Sequence, residues 1–120
     1  MTTVLIVDDA KFMRMTLQNM LIEDGFDIVG EAENGKQAID LYRELKPDIV
    51  TMDITMPEMS GLDALKVILS EFSDAKVIMC SAMGQQKMVV EAIEVGAKDY
   101  IIKPFDETRV REAINKLMTK

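Results

Sequence analysis

Five short apolar runs alternate along the chain with five longer stretches whose apolar residues recur every three to four positions. The runs are Val4 to Val7, Asp27 to Gly30, Ile49 to Met52, Val77 to Cys80 and Tyr100 to Ile102. Between and after them, helical spacing appears at Met13, Leu17, Met20 and Leu21; at Ala38, Ile39 and Tyr42; at Leu62, Leu65, Ile68 and Leu69; at Val89, Ala92 and Ile93; and at Val110, Ala113, Ile114 and Leu117. Near-continuous apolar strands separated by helices imply a parallel sheet, because parallel neighbours need a crossover and the crossover helices cover both faces. The expected fold is α/β, a (βα)5 unit with a five-stranded parallel sheet and helices on both sides. Gly25 and Gly96 stand where helices should end, Ser60 to Asp63 has capping-box spacing, and Pro47 and Pro104 lie just outside regular elements. At 120 residues the chain has room for one domain, expected to span 1–120 with no output domain attached.

Other residue classes remove functions. The apolar runs at 4–7 and 77–80 are far short of the roughly 20 residues that span a bilayer, so no membrane insertion is expected. The start, Met1-Thr2-Thr3, has no basic leader, and the lone Cys80 reads as a small buried residue, so the expected compartment is the cytoplasm. With no histidine, the chain has no Ser/His or Cys/His catalytic pair and no His-ligated zinc. Net charge is −7, and the excess lies entirely in residues 1–60, which carry 12 acids and 5 bases against 9 of each in 61–120. An acidic surplus does not displace counterions from phosphates, so direct nucleic-acid binding is not expected.

The polar residues that interrupt the pattern lie at the carboxyl ends of the strands: Asp8-Asp9 after the first, Asp53 after the third, Ser81 after the fourth and Lys103 after the fifth. In open α/β sheets ligands bind beyond those ends where the strand order reverses, which for order 2-1-3-4-5 is between strands 1 and 3. That rule gathers Asp8, Asp9 and Asp53. Each pair of carboxylates about 4 Å apart repels by roughly 4 kcal/mol at an effective dielectric of 20, so a positive partner is required. All-oxygen ligands with places left for water suit Mg²⁺, and Lys103 supplies one further charge. Ten methionines follow Met1; most fit core positions, with Met56, Met59, Met83 and Met88 assigned to a contact surface.

Four motifs together resemble the receiver domain of two-component response regulators from end to end: Val4-Leu5-Ile6-Val7-Asp8-Asp9; Met52-Asp53-Ile54-Thr55-Met56-Pro57-Glu58-Met59-Ser60-Gly61; Met79-Cys80-Ser81-Ala82; and Tyr100-Ile101-Ile102-Lys103-Pro104-Phe105. The resemblance implies a flavodoxin-like fold of order 2-1-3-4-5. It implies Asp53 as phosphoryl acceptor, Mg²⁺ held by Asp9, Asp53 and the Thr55 carbonyl with Asp8 acting through water, and Ser81 and Lys103 on the phosphoryl oxygens. It also implies a cis Lys103-Pro104 bond, and a switch in which Ser81 moves inward and Tyr100 follows. The donor would be a histidine kinase, and the domain would catalyse its own phosphoryl uptake and loss without being an enzyme in the metabolic sense.

The stretches Ala10-Lys11-Phe12-Met13-Arg14 and Ser81-Ala82-Met83-Gly84-Gln85-Gln86 are most similar to chemotaxis regulators. They imply docking on the flagellar motor switch, as a monomer, through helix 4, strand 5 and helix 5, where Lys87, Lys98, Arg109 and Arg111 lie; a phosphatase partner is left open. Thr55 and Met83, two residues after Asp53 and Ser81, tend to tune dephosphorylation in the family, and neither supplies an amide or carboxylate to orient water. Alternatives are a phosphorelay intermediate or the isolated receiver of a transcription regulator. An FMN protein is disfavoured because two acids follow strand 1 where a phosphate loop would be needed. An aspartyl-phosphate phosphatase would carry Asp-x-Asp there and add a cap domain.

Overall fold

The computed structural model describes residues 1–118; the expected limit at Lys120 lies outside the described residues. Strands β1 (Thr3–Val7), β2 (Asp27–Ala32), β3 (Ile49–Asp53), β4 (Val77–Ser81) and β5 (Asp99–Ile102) alternate with helices α1 (Lys11–Glu23), α2 (Gly35–Leu45), α3 (Gly61–Glu71), α4 (Gln86–Val95) and α5 (Glu107–Met118). All strand pairs are parallel and the order is β2-β1-β3-β4-β5, the expected doubly wound arrangement. No helix among the described residues is long and apolar enough to cross a membrane.

Period-two alternation divides the core. Leu5, Val7, Val50, Met52, Val77 and Met79 face one layer with Ala38, Ile39, Leu65, Ile68, Val89 and Ala92 of α2, α3 and α4. Val4, Ile6, Ile49, Ile78, Cys80 and Ile101 face the other with Leu17, Leu21, Val110, Ala113 and Ile114 of α1 and α5. The strands run slightly beyond the apolar runs because ladder pairing continues past the last apolar side chain: Asp53 pairs with Cys80 and Ser81 with Ile102.

Ser60 and Gly96 act as expected at the helix ends, and Asn34 adds a cap that was not expected. Ser60 Oγ accepts from the Asp63 N–H at 3.1 Å, capping α3, and Asn34 Oδ1 accepts from the Gln37 N–H at 2.9 Å, capping α2. Gly96 closes α4 at φ 136°. The Lys103–Pro104 bond is cis.

Met83 and Met88 are exposed as expected, whereas Met56 and Met59 depart from expectation. Met52, Met56 and Met79 are buried, Met13, Met20 and Met59 half-buried, and Met15, Met83, Met88 and Met118 exposed. Met56 is therefore core rather than surface, and Met59 packs against the core beside Gly35. The long, flexible thioether suits both places, so residue type alone did not assign it.

Candidate functional site

Three backbone bonds extend the sheet ladder one step beyond its strands and aim the polar residues at one edge. The Asp8 N–H donates to the Ala32 carbonyl (3.0 Å), the Ile54 N–H to the Cys80 carbonyl (3.2 Å) and the Lys103 N–H to the Ser81 carbonyl (2.8 Å). Asp8 and Lys103 continue the parity of Val4–Ile6 and Ile101, and Asp53 that of Ile49, so all three emerge on the α1/α5 side of the sheet.

There they meet. Lys103 Nζ lies 2.7 Å from Asp8 Oδ2 and 3.3 Å from Asp53 Oδ2, bridging strands 1 and 3 from strand 5. Asp8 Oδ1 accepts the Ala10 N–H at 2.9 Å, which turns the chain into α1. Asp8 and Asp53 are buried, whereas Asp9 is exposed. One carboxylate oxygen from each of the three lies within 4.8 Å of the others.

Burial raises the Asp53 carboxyl from its ordinary 3.8 to about 6; Lys103 pulls it down, while the charge of Asp8 adds to the rise. One lysine thus leaves the carboxylates under-neutralised. For Lys103, burial works against the charged form, but the bond to Asp8 and the charge of Asp53 outweigh it and raise its pKa. An all-oxygen donor set that lacks positive charge and is open to solvent at Asp9 fits a hard divalent cation completed by water.

Other predicted residues surround this centre. Ser81 is buried at the end of β4, one residue beyond the partner of Asp53. Thr55 is exposed in the loop after β3, and its hydroxyl accepts from Gln85 Nε2 at 2.9 Å. Tyr100 stands outward and 39% exposed, with the Arg109 guanidinium 5.9 Å from its ring. It borders an apolar groove of about 470 Å³ between α4 and β5, which also includes Met83, Val89, Val90, Ile93 and Ile102. Arg109 is bonded to Asp99 and the Tyr100 carbonyl, and Arg111 to Asp24 and Glu107. Of the four cations expected on the docking face, these two arginines are therefore already engaged.

Three residues that lie within the quoted motifs, but were assigned no role there, contact the site. Arg14 is buried in α1; it donates to the Asp8 carbonyl at 2.7 Å and pairs with Glu31 at 3.0 Å and Glu33 at 3.7 Å. Its signal was its place on the stripe of Leu17 and Leu21, three and seven residues on. Gly61 opens α3 so close to the end of β3 that a Cβ there would lie 1.8 Å from the Asp53 carbonyl oxygen. The Gln85 side chain brings to Thr55 the amide that neither Thr55 nor Met83 offers.

A doubly wound sheet thus gathers three acids and a lysine at the reversal of its strand order, where open α/β sheets bind their ligands. Residues 4–115 match the model of the response regulator receiver domain. The chain is 61% identical to the chemotaxis protein CheY of Thermotoga maritima over 95% of both chains, and 60% identical to that of Bacillus subtilis over 96% of both. Its fold superposes with a TM-score of 0.94 on a chain of the CheX-CheY-BeF3-Mg complex of Borrelia burgdorferi, at 37% identity, covering 99% of this chain and 90% of that one. The chain belongs to the response regulator receiver family. Within it, the chain is closely related to CheY, the phosphorylation-activated chemotaxis switch.

Proposed function

We propose that Asp53 accepts a phosphoryl group from a histidine kinase and that the phosphorylated domain docks on the flagellar motor switch. A carboxylate oxygen of Asp53 attacks phosphorus, the O–P bond forms as the donor's P–N bond breaks, and the electron pair leaves on the imidazole nitrogen. Asp9, Asp53 and the Thr55 carbonyl would hold Mg²⁺, with Asp8 acting through water; the ion supplies positive charge to the transferring oxygens. Lys103 shields one oxygen from the carboxylates, and the Ser81 hydroxyl binds another. The observation that carries this reading is the Lys103 bridge between Asp8 and Asp53, which leaves the acceptor buried and under-neutralised.

The groove beside Tyr100 is the proposed seat of the target, because it is apolar, lies next to Ser81 and joins α4 to β5. The Borrelia neighbour was solved in complex with CheX, which makes a protein of that kind a candidate partner here. The domain is proposed to act as a cytoplasmic monomer that catalyses its own phosphoryl uptake and loss.

The test is intact-mass measurement after incubation with acetyl phosphate and Mg²⁺. Wild type should gain one phosphoryl group, which base should remove, and Asp53→Asn should gain none. Full labelling of Asp53→Asn would overturn the assignment of the acceptor.

A further inference from the structure

The loops after β3 and β4 are joined by a single side chain. Gln85 Oε1 accepts the Ala82 N–H at 2.7 Å, and Gln85 Nε2 donates to the Thr55 hydroxyl at 2.9 Å. Both ends of the carboxamide are therefore committed, one to the residue after Ser81 and the other to the second residue after Asp53. Gln85 is also the N-cap of α4, yet its side chain makes no capping bond. The first turn of α4 is tied to the acceptor loop rather than capped in the usual way.

The segment this strap closes is short. Ala82, Met83 and Gly84 are exposed, Gly84 sits at φ 93°, and a Cβ there would meet nothing within 4 Å. These same residues form one wall of the groove that ends at Tyr100. A carboxamide is planar and of fixed length, so with both ends bonded it sets the separation of the two loops.

We propose that Gln85 is a positioning residue that holds the loop after β4 and the first turn of α4 in their resting places, and that engagement of an anion on Asp53 breaks this strap. The proposal rests on the reading of Asp53 as phosphoryl acceptor. Ser81 is buried one residue before Ala82, so an inward pull on its hydroxyl by an anion on Asp53 would draw on the Ala82 N–H that holds the Gln85 carboxamide. The other end of the strap, Thr55, lies on a different loop, two residues beyond the end of β3, so the pull would part the two ends. A neutral amide bond then gives way to charge-assisted bonds to the anion, which are about twice as strong. A contact present only in the resting state opposes activation, so its removal must tighten binding of the activator.

The test uses beryllofluoride with Mg²⁺, standing in for the phosphoryl group, titrated by NMR into wild type, Gln85→Met, Thr55→Val and the double variant. Methionine keeps the length of Gln85 without its bonds, and valine removes the Thr55 hydroxyl while keeping its carbonyl. Gln85→Met should bind beryllofluoride roughly three- to tenfold more tightly, the range expected for two modest, partly solvated hydrogen bonds. Thr55→Val should shift the affinity the same way, and the double variant should add little to Gln85→Met. Amides in the first turn of α4 should exchange faster in Gln85→Met without the activator. Unchanged or weaker affinity in Gln85→Met, with acetyl phosphate still adding one phosphoryl group, would overturn the strap and leave the acceptor standing. Failure of wild type both to gain mass and to bind beryllofluoride would bring down the acceptor reading, and the strap with it.

Discussion

Replacing Asp53 by asparagine should stabilise the metal-free protein above pH 6 and leave it almost unchanged near pH 4. Folding raises this carboxyl from 3.8 to about 6. Between those values the folded chain keeps a proton that the unfolded chain has released, so stability falls as pH rises through the window. Above pH 6 the loss is complete, and below about pH 4 it vanishes because both states are protonated. At about 1.36 kcal/mol per pH unit, the displacement corresponds to a ceiling of about 3 kcal/mol. The site opens to water at Asp9, so screening reduces this to about 1–2 kcal/mol. Asparagine keeps the shape, cannot ionise, and leaves Lys103 its 2.7 Å contact with Asp8. In a domain of this size the gain is about 4–10 °C in Tm at pH 7.5. Thermal melts in EDTA at pH 4 and 7.5, repeated with Mg²⁺, provide the assay; Mg²⁺ should raise wild type more than the variant and narrow the gap. An equal gain at both pH values, or none at pH 7.5, would refute the reasoning, because the benefit would then not come from removing a buried charge.

Gly61→Ala should destabilise by roughly 2–3 kcal/mol in urea unfolding and slow phosphoryl uptake, since a Cβ 1.8 Å from the Asp53 carbonyl oxygen forces α3 and the end of β3 apart; unaltered stability would show that the approach relaxes freely. Arg14→Met should cost roughly 1–3 kcal/mol by leaving the buried Asp8 carbonyl without its donor, and should weaken Mg²⁺ binding in calorimetric titrations. Arg14→Lys should recover only part of either, because an ammonium cannot reproduce the guanidinium fork; Mg²⁺ affinity unchanged in both variants would make Arg14 purely structural. Tyr100→Ala should leave acetyl phosphate labelling intact but lose much of the tightening that beryllofluoride gives to a motor-switch peptide, and equal tightening in variant and wild type would rule out the aromatic switch.

Much of this protein was legible locally. Period two at Val4 to Val7 and Val77 to Cys80, and helical recurrence such as Leu65 with Ile68, are properties of neighbouring residues, so they survive without knowledge of the fold. Parallel topology then sends every strand's carboxyl end to the same edge, which is why Asp8, Asp9, Asp53 and Lys103 could be gathered before their distances were known. What a residue does once it arrives depends on partners far away in the chain. The raised pKa of Asp53 comes from burial and, in smaller part, from the charge of Asp8, 45 positions back, against the pull of Lys103, 50 positions on. The strap from Gln85 to Thr55 spans 30 positions, and Arg14 meets Glu31 across 17. Sequence alone put both Met56 and Met83 on a contact surface, and only packing drew Met56 inside while leaving Met83 out. Residue pattern selects which surfaces can be buried, but the approach of distant segments decides which charges lose water, which amides are taken, and which side chains remain free to move.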